Sequence, residues 1–145
     1  MNFNIKQRIF TDVNNDSLTA TIAILSGCND INECIQIHEI YEEDEWVNKL
    51  ENWLDERGYN LVNIIEDDPE STLYPHIQSL FVLDSEIVYN QYVIWTDSKH
   101  FISPNDRISH DQYTKTGFKF TIIKKEISQD EDPYLDPDDV IEIIV

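Results

Sequence analysis

One stretch dictates most of what this chain can become. A polar cluster, Asn14-Asn15-Asp16-Ser17, runs straight into Leu18-Thr19-Ala20-Thr21-Ile22-Ala23-Ile24-Leu25-Ser26, and Gly27 ends the run. Short polar side chains favour a helix N-cap, and glycine favours the position after the last turn. The stretch therefore predicts a helix over about 17–26. No charge interrupts it, so the helix is buried and the other elements pack around it. A helix N-terminus offers free N–H groups and roughly half a positive charge. A nucleophile gains from that position, and here it holds Ser17. Whether Ser17 reacts or only caps the helix is the main functional question the sequence poses, and capping without catalysis is the expectation.

The other elements can be read in order. Phe3, Ile5, Ile9 and Phe10 form an extended lead-in, and Cys28 to Ile37 a turn or short second helix with Asp30 as its cap. Residues 45–57 are the clearest helix. Trp46, Val47, Leu50, Trp53 and Leu54 recur at i, i+1, i+4, i+7 and i+8, which is one helical face. Acids precede it, Arg57 lies in its last turn and Gly58 stops it, as the helix dipole prefers. Trp46, Trp53 and Leu54 are expected in the core. After Gly58 the period changes to that of strands: Tyr59–Ile65, Ile77–Leu83, Ile87–Trp95, His100–Ile102 and Gly117–Lys125, with Thr96–Lys99 as a hairpin-like turn. Helices first and antiparallel strands after give an α+β class, with N-terminal helices packed on an antiparallel sheet. One domain spans residues 1–125. Residues 126–145 differ: they hold eight acids and no base, and they end in Val140–Val145, an apolar strand-like segment.

Charge limits the partners. Twenty-nine acidic residues against ten basic ones give a net charge of −19 over 145 residues. Such a chain repels nucleic-acid phosphates and anionic membranes and favours a basic protein partner. The candidate partner-binding residues are three clusters: Glu42, Glu43, Asp44 and Glu45; Glu66, Asp67 and Asp68; and Asp136, Asp138 and Asp139. Solubility alone is the plain alternative. No apolar run reaches the roughly 18 residues that span a bilayer, and the first residues lack the apolar stretch of a signal peptide. The expectation is a cytoplasmic monomer or homodimer without cofactor or metal. Cys28 and Cys34 are then reduced thiols, at a spacing that matches no common zinc pattern.

Three local patterns occur in a telling order. Asn15-Asp16-Ser17-Leu18-Thr19-Ala20 opens the apolar helix. Trp46, Leu50, Trp53, Leu54, Gly58, Tyr59, Leu61 and Val62 follow. Asn90-Gln91-Tyr92-Val93-Ile94-Trp95-Thr96-Asp97 then leads through Phe101-Ile102-Ser103-Pro104. Over roughly residues 10–105 this resembles the small papain-like thiol hydrolases of bacteria and phages. In that family a Gly-Asp-Cys opens the helix, a His begins a central strand, and an Asp precedes a Pro one hairpin later. The resemblance implies that the nucleophile position falls on Ser17, the base position on Gln91 and the orienting position on Ser103. All three depart from the pattern. Serine needs a base to react, and glutamine cannot take a proton. The resemblance therefore implies a degenerate scaffold with no catalytic residue, a pseudoenzyme that acts as a protein-binding module or inhibitor. The phage character of the family adds anti-defence action or nucleic-acid mimicry to the expectations. An active cysteine hydrolase with a relocated nucleophile, and an assembly protein that pairs through its C-terminal strand, are the alternatives.

Overall fold

The computed structural model describes residues 1–10, 15–64, 73–84, 87–105 and 113–125. Helix α1 runs Ser17–Leu25, and all of its residues are buried. Its end follows from Gly27, whose φ of 77° is the left-handed value that glycine adopts without strain. The Cys28 N–H then reaches back to the Ala23 carbonyl at 3.1 Å, closing the last turn. A side chain at position 27 would also collide with Tyr59, whose hydroxyl lies 2.8 Å from where a Cβ would sit. A 3-10 turn follows at Ile31–Glu33, capped as expected by Asp30, which accepts from the Asn32 N–H at 2.7 Å. Helix α2 is a single turn, Ile37–Ile40.

Helix α3, Trp46–Glu56, matches the expected span, but its face is only partly covered. Leu50 and Leu54 are buried, whereas Trp46 and Trp53 are half-buried and Val47 is exposed. The expectation that both tryptophans are core is corrected. α3 packs chiefly along β1 (Tyr59–Ile64), an outer strand of the sheet, so the flanks of its apolar stripe overhang. Each ring finds a partner at that margin. Trp46 stacks on Tyr41 at 4.8 Å between centroids, and the Arg57 guanidinium lies 4.5 Å from the Trp53 ring centre.

The remaining strands are β2 (His76–Asp84), β3 (Ile87–Trp95), β4 (Phe101–Ile102) and β5 (Tyr113–Lys124). β5 starts ahead of Gly117, where the sequence placed it. The five described strands form one antiparallel sheet in the order β1-β5-β2-β3-β4. The α+β class, with N-terminal helices on an antiparallel sheet, is as the sequence predicts. α1 lies across β3 and β5, where Ile22 and Ile24 share a core with Ile77, Ile94, Phe120 and Ile122. Leu80, Val82, Val93 and Trp95 form a separate buried cluster. Phe101 packs 4.9 Å from the Trp95 ring, and the Lys115 ammonium lies 4.0 Å from its centre. Among the described residues no helix is long and apolar enough to cross a membrane. The acidic clusters Glu66–Asp68 and Asp136–Asp139, the segment Val140–Val145 and the domain boundary at residue 126 lie outside the described residues.

Two stability predictions follow from burial. Leu54 is fully buried, so Leu54→Ala costs about 2–5 kcal/mol in urea denaturation. Trp53 is only partly buried, so Trp53→Ala costs clearly less; an equal or larger loss at Trp53 places it deeper than this. His76 is buried, and burial pushes its imidazole below the ordinary histidine range, with the Leu73 carbonyl 2.8 Å from Nδ1 opposing the shift. A lowered folded pKa means that folding favours the neutral ring. Its contribution is complete above the unfolded value of about 6.5 and is lost as pH falls through the folded value. His76→Gln removes that loss, so between pH about 7 and 5 its melting temperature falls less than that of the parent.

Candidate functional site

The start of α1 is fixed by a buried carboxylate. Asp16 is fully buried and accepts hydrogen bonds from the Arg8 N–H at 2.9 Å and the Ile9 N–H at 2.9 Å. The Arg8 guanidinium lies 3.5 Å from its other oxygen. The lead-in is thereby clamped to the helix start.

The two residues around Asp16 face β3. Strand β4 pairs only with Ile94 and Trp95. Ahead of that pair, among the described residues, backbone groups of β3 meet side chains rather than another strand. The Tyr92 N–H donates to Ser17 Oγ at 3.0 Å, and Asn15 Nδ2 donates to the Asn90 carbonyl at 2.7 Å. Gln91 Nε2 donates to the Tyr92 carbonyl at 3.1 Å. An uncovered strand edge exposes just such donors and acceptors. Ser17 is therefore not the helix cap the sequence predicts. It is the first helical residue; its own N–H donates to Asn15 Oδ1 at 3.0 Å, and its hydroxyl serves the strand. Among the described residues that hydroxyl bonds to no histidine and no carboxylate.

Gln91 and Ser103 are placed differently from one another. Gln91 is fully buried in a cluster of amides: its Nε2 donates to Gln7 Oε1 at 2.7 Å, and Asn105 Nδ2 donates to its Oε1 at 3.4 Å. The Ser103 hydroxyl instead accepts from the Asn105 N–H at 3.1 Å. The residue that the fold sets against Gln91 is Asn105, two positions beyond the Ser103 that the resemblance implies. None of the three clustered amides carries a titratable proton. Gln7 had a readable signal: it shares the period-2 phase of Ile5, with Lys6 and Arg8 on the other phase, which marks it as inward.

Side chains alternate across a strand, so Gln91 and Tyr92 point to opposite faces. Tyr92 is the one that borders open space. A recess of about 40 Å³ at the α1 N-terminus is bounded by Asn15, Leu18, His38, Tyr41, Asn90 and Tyr92. Leu18, Tyr41 and Tyr92 also bound a larger cleft of about 280 Å³ between α3 and β1. Burial pushes the Tyr92 phenol well above its ordinary pKa, and the neighbouring Tyr41 phenol adds to the shift. His38 Nδ1 lies 3.4 Å from the Thr19 hydroxyl, which also accepts from the Ile37 N–H at 3.0 Å. The contact ties α2 to α1.

Both thiols are buried, and burial pushes the Cys34 thiol far above the range in which a thiolate forms. Among the described residues no group of His, Cys, Asp and Glu is placed to hold a metal ion. Of the three acidic clusters, Glu42–Glu45 is described. All four side chains are exposed on the turn between α2 and α3, and Lys49 pairs with Glu43. Comparison of the chain with protein-family models, with curated proteins and with solved structures finds no match.

Ser17→Ala leaves the Tyr92 N–H without its acceptor, at a cost of about 1–3 kcal/mol. The expected signature is faster amide exchange at Tyr92, with Ser17→Thr restoring protection. Unchanged exchange at Tyr92 in Ser17→Ala returns the serine to a simple helix cap.

Proposed function

We propose that this chain is a non-catalytic protein-binding module on a degenerate papain-like scaffold, an inhibitor-type protein that acts through acidic surfaces on a basic protein partner. One observation carries the reading. The hydroxyl at the α1 N-terminus is engaged by the β3 edge, and Gln91, where the resemblance puts a base, is an amide bonded to Gln7 that cannot take up a proton. Nucleophilic catalysis by serine needs a neighbouring base. A frame whose reactive positions hold hydrogen-bonding side chains works through its surface, and this surface is strongly acidic. Phage-borne anti-defence action or nucleic-acid mimicry belongs to the same proposal and rests on the charge and the resemblance alone.

The reading with a relocated cysteine nucleophile gains little support. Reactive thiols are accessible and have a lowered pKa. Cys28 and Cys34 are buried, and the Cys34 thiol is shifted the opposite way.

Raising salt from about 0.15 M to about 1 M shortens the screening length from roughly 8 Å to roughly 3 Å. Association with the basic partner then slows severalfold, while dissociation changes less. Neutralising Glu42, Glu43, Asp44 and Glu45 to Gln, Gln, Asn and Gln weakens capture without lowering the melting temperature. Covalent labelling of Ser17 by a fluorophosphonate, or binding indifferent to both salt and charge, overturns the proposal.

A further inference from the structure

We infer that the cleft between α3, β1 and the α1 N-terminus seats one apolar anchor side chain of a basic peptide segment. The lysines or arginines flanking the anchor meet the acids of the α2–α3 turn. The inference rests on the acidic-surface reading above and says where on that surface the partner is gripped.

Size and lining set the chemistry of the occupant. A cavity of about 150 Å³ is enough to hold a benzene ring, and this cleft measures about 280 Å³. Its lining includes Leu18, Leu50 and Phe120, all buried and apolar. A charge pushed past the polar Glu51 and Asn63 against these buried side chains loses its water, so the group seated deepest is apolar. Tyr41 and Val47, which also line the cleft, remain 43% and 39% exposed. Trp46 is half-buried between them in the chain order of the wall. Exposed aromatic and aliphatic surface gathered at one concave spot is what interfaces present, and tyrosine and tryptophan dominate their energetic centres.

Charge sets what surrounds the anchor. Glu42, Glu43, Asp44 and Glu45 connect Tyr41 directly to Trp46, so the acids stand beside the cleft walls. Glu51, one helical turn beyond Val47, contributes to the lining itself. Lys49 is the cation of this helix and already pairs with Glu43. Around the cleft, negative charge therefore exceeds positive. A neutral or acidic segment gains nothing from these acids, whereas a basic one is drawn to them. The acidic turn alone selects charge without position; the cleft supplies the position.

The test uses the full chain and acetylated, amidated pentapeptides Lys-Lys-X-Lys-Lys in which X is Leu, Phe or Ala, followed by heteronuclear NMR. The Leu and Phe peptides bind at least about tenfold tighter than the Ala peptide, as burial of the larger side chain requires. Their shifts centre on Leu18, Trp46, Val47 and Glu51. Val47→Gln, at an exposed position that the fold tolerates, brings the three affinities together. Converting Glu42, Glu43, Asp44 and Glu45 to their amides weakens all three peptides alike and keeps their ranking. Equal, salt-sensitive binding of the three peptides overturns the cleft and leaves the acidic-surface reading standing. Failure of all three to bind overturns both.

Discussion

The Asp16 carboxylate holds the N-terminal half of the molecule together. It is fully buried, and an unpaired charge there would cost several kcal/mol. Two backbone N–H groups and the Arg8 guanidinium compensate it, and a hydrogen bond to a charged group contributes about 1.5–3 kcal/mol. The consequence is geometric. Once the Arg8–Ile9 backbone is clamped to the start of α1, Gln7 is carried inward to meet Gln91, and its N–H reaches the Pro104 carbonyl at 3.1 Å. Arg8 extends the same clamp outward to Asn32 at 2.6 Å and Gln36 at 3.0 Å. One carboxylate thus registers the lead-in, α1, the loop before α2 and the chain beyond β4.

What the sequence made legible were features with a local cause. α1 was readable because an uncharged apolar run has nowhere to go but inside, and its end because Gly27 takes a backbone conformation other residues avoid. α3 was readable from its period, and the strands from β-branched alternation. Depth was less legible. Periodicity gives the direction in which Trp46 and Trp53 point, but how far the partner surface extends is decided by β1 being an outer strand, a property of the whole sheet. The role of Ser17 was illegible for the same reason. A short polar residue at a helix start is normally a cap, and only tertiary structure brings an uncovered β3 N–H to it.

The site shows how sensitive such readings are to phase. Moving one residue along a strand exchanges the two faces. The base position implied by resemblance falls on Gln91, yet the side chain that borders the recess at the α1 N-terminus is Tyr92. At the end of the hairpin the side chain that meets Gln91 is Asn105 rather than Ser103. Short irregular connections such as Ser103–Asn105 carry no period from which to tell the two apart. Residue types still held a clue: Gln7, Gln91 and Asn105 are all amides, and amides can satisfy one another when buried, as their contacts of 2.7 and 3.4 Å show.

The bases complete the physical picture, because at least five of the ten are engaged within the molecule. Arg8 faces buried Asp16, Arg57 lies over Trp53 and Lys115 over Trp95, while Lys49 and Lys125 pair with Glu43 and Asp55. Long basic side chains placed this way cover apolar rings and anchor chain segments. With only ten bases against twenty-nine acids, those engagements leave the outward field negative. Repulsion among the acids opposes compactness, so the fold places its described acidic cluster on a solvated turn rather than against the core. That turn joins Tyr41 to Trp46, two of the aromatic residues that line the cleft. The described acidic cluster and the exposed apolar wall of the cleft are therefore adjacent because one short connection, Tyr41 to Trp46, builds both.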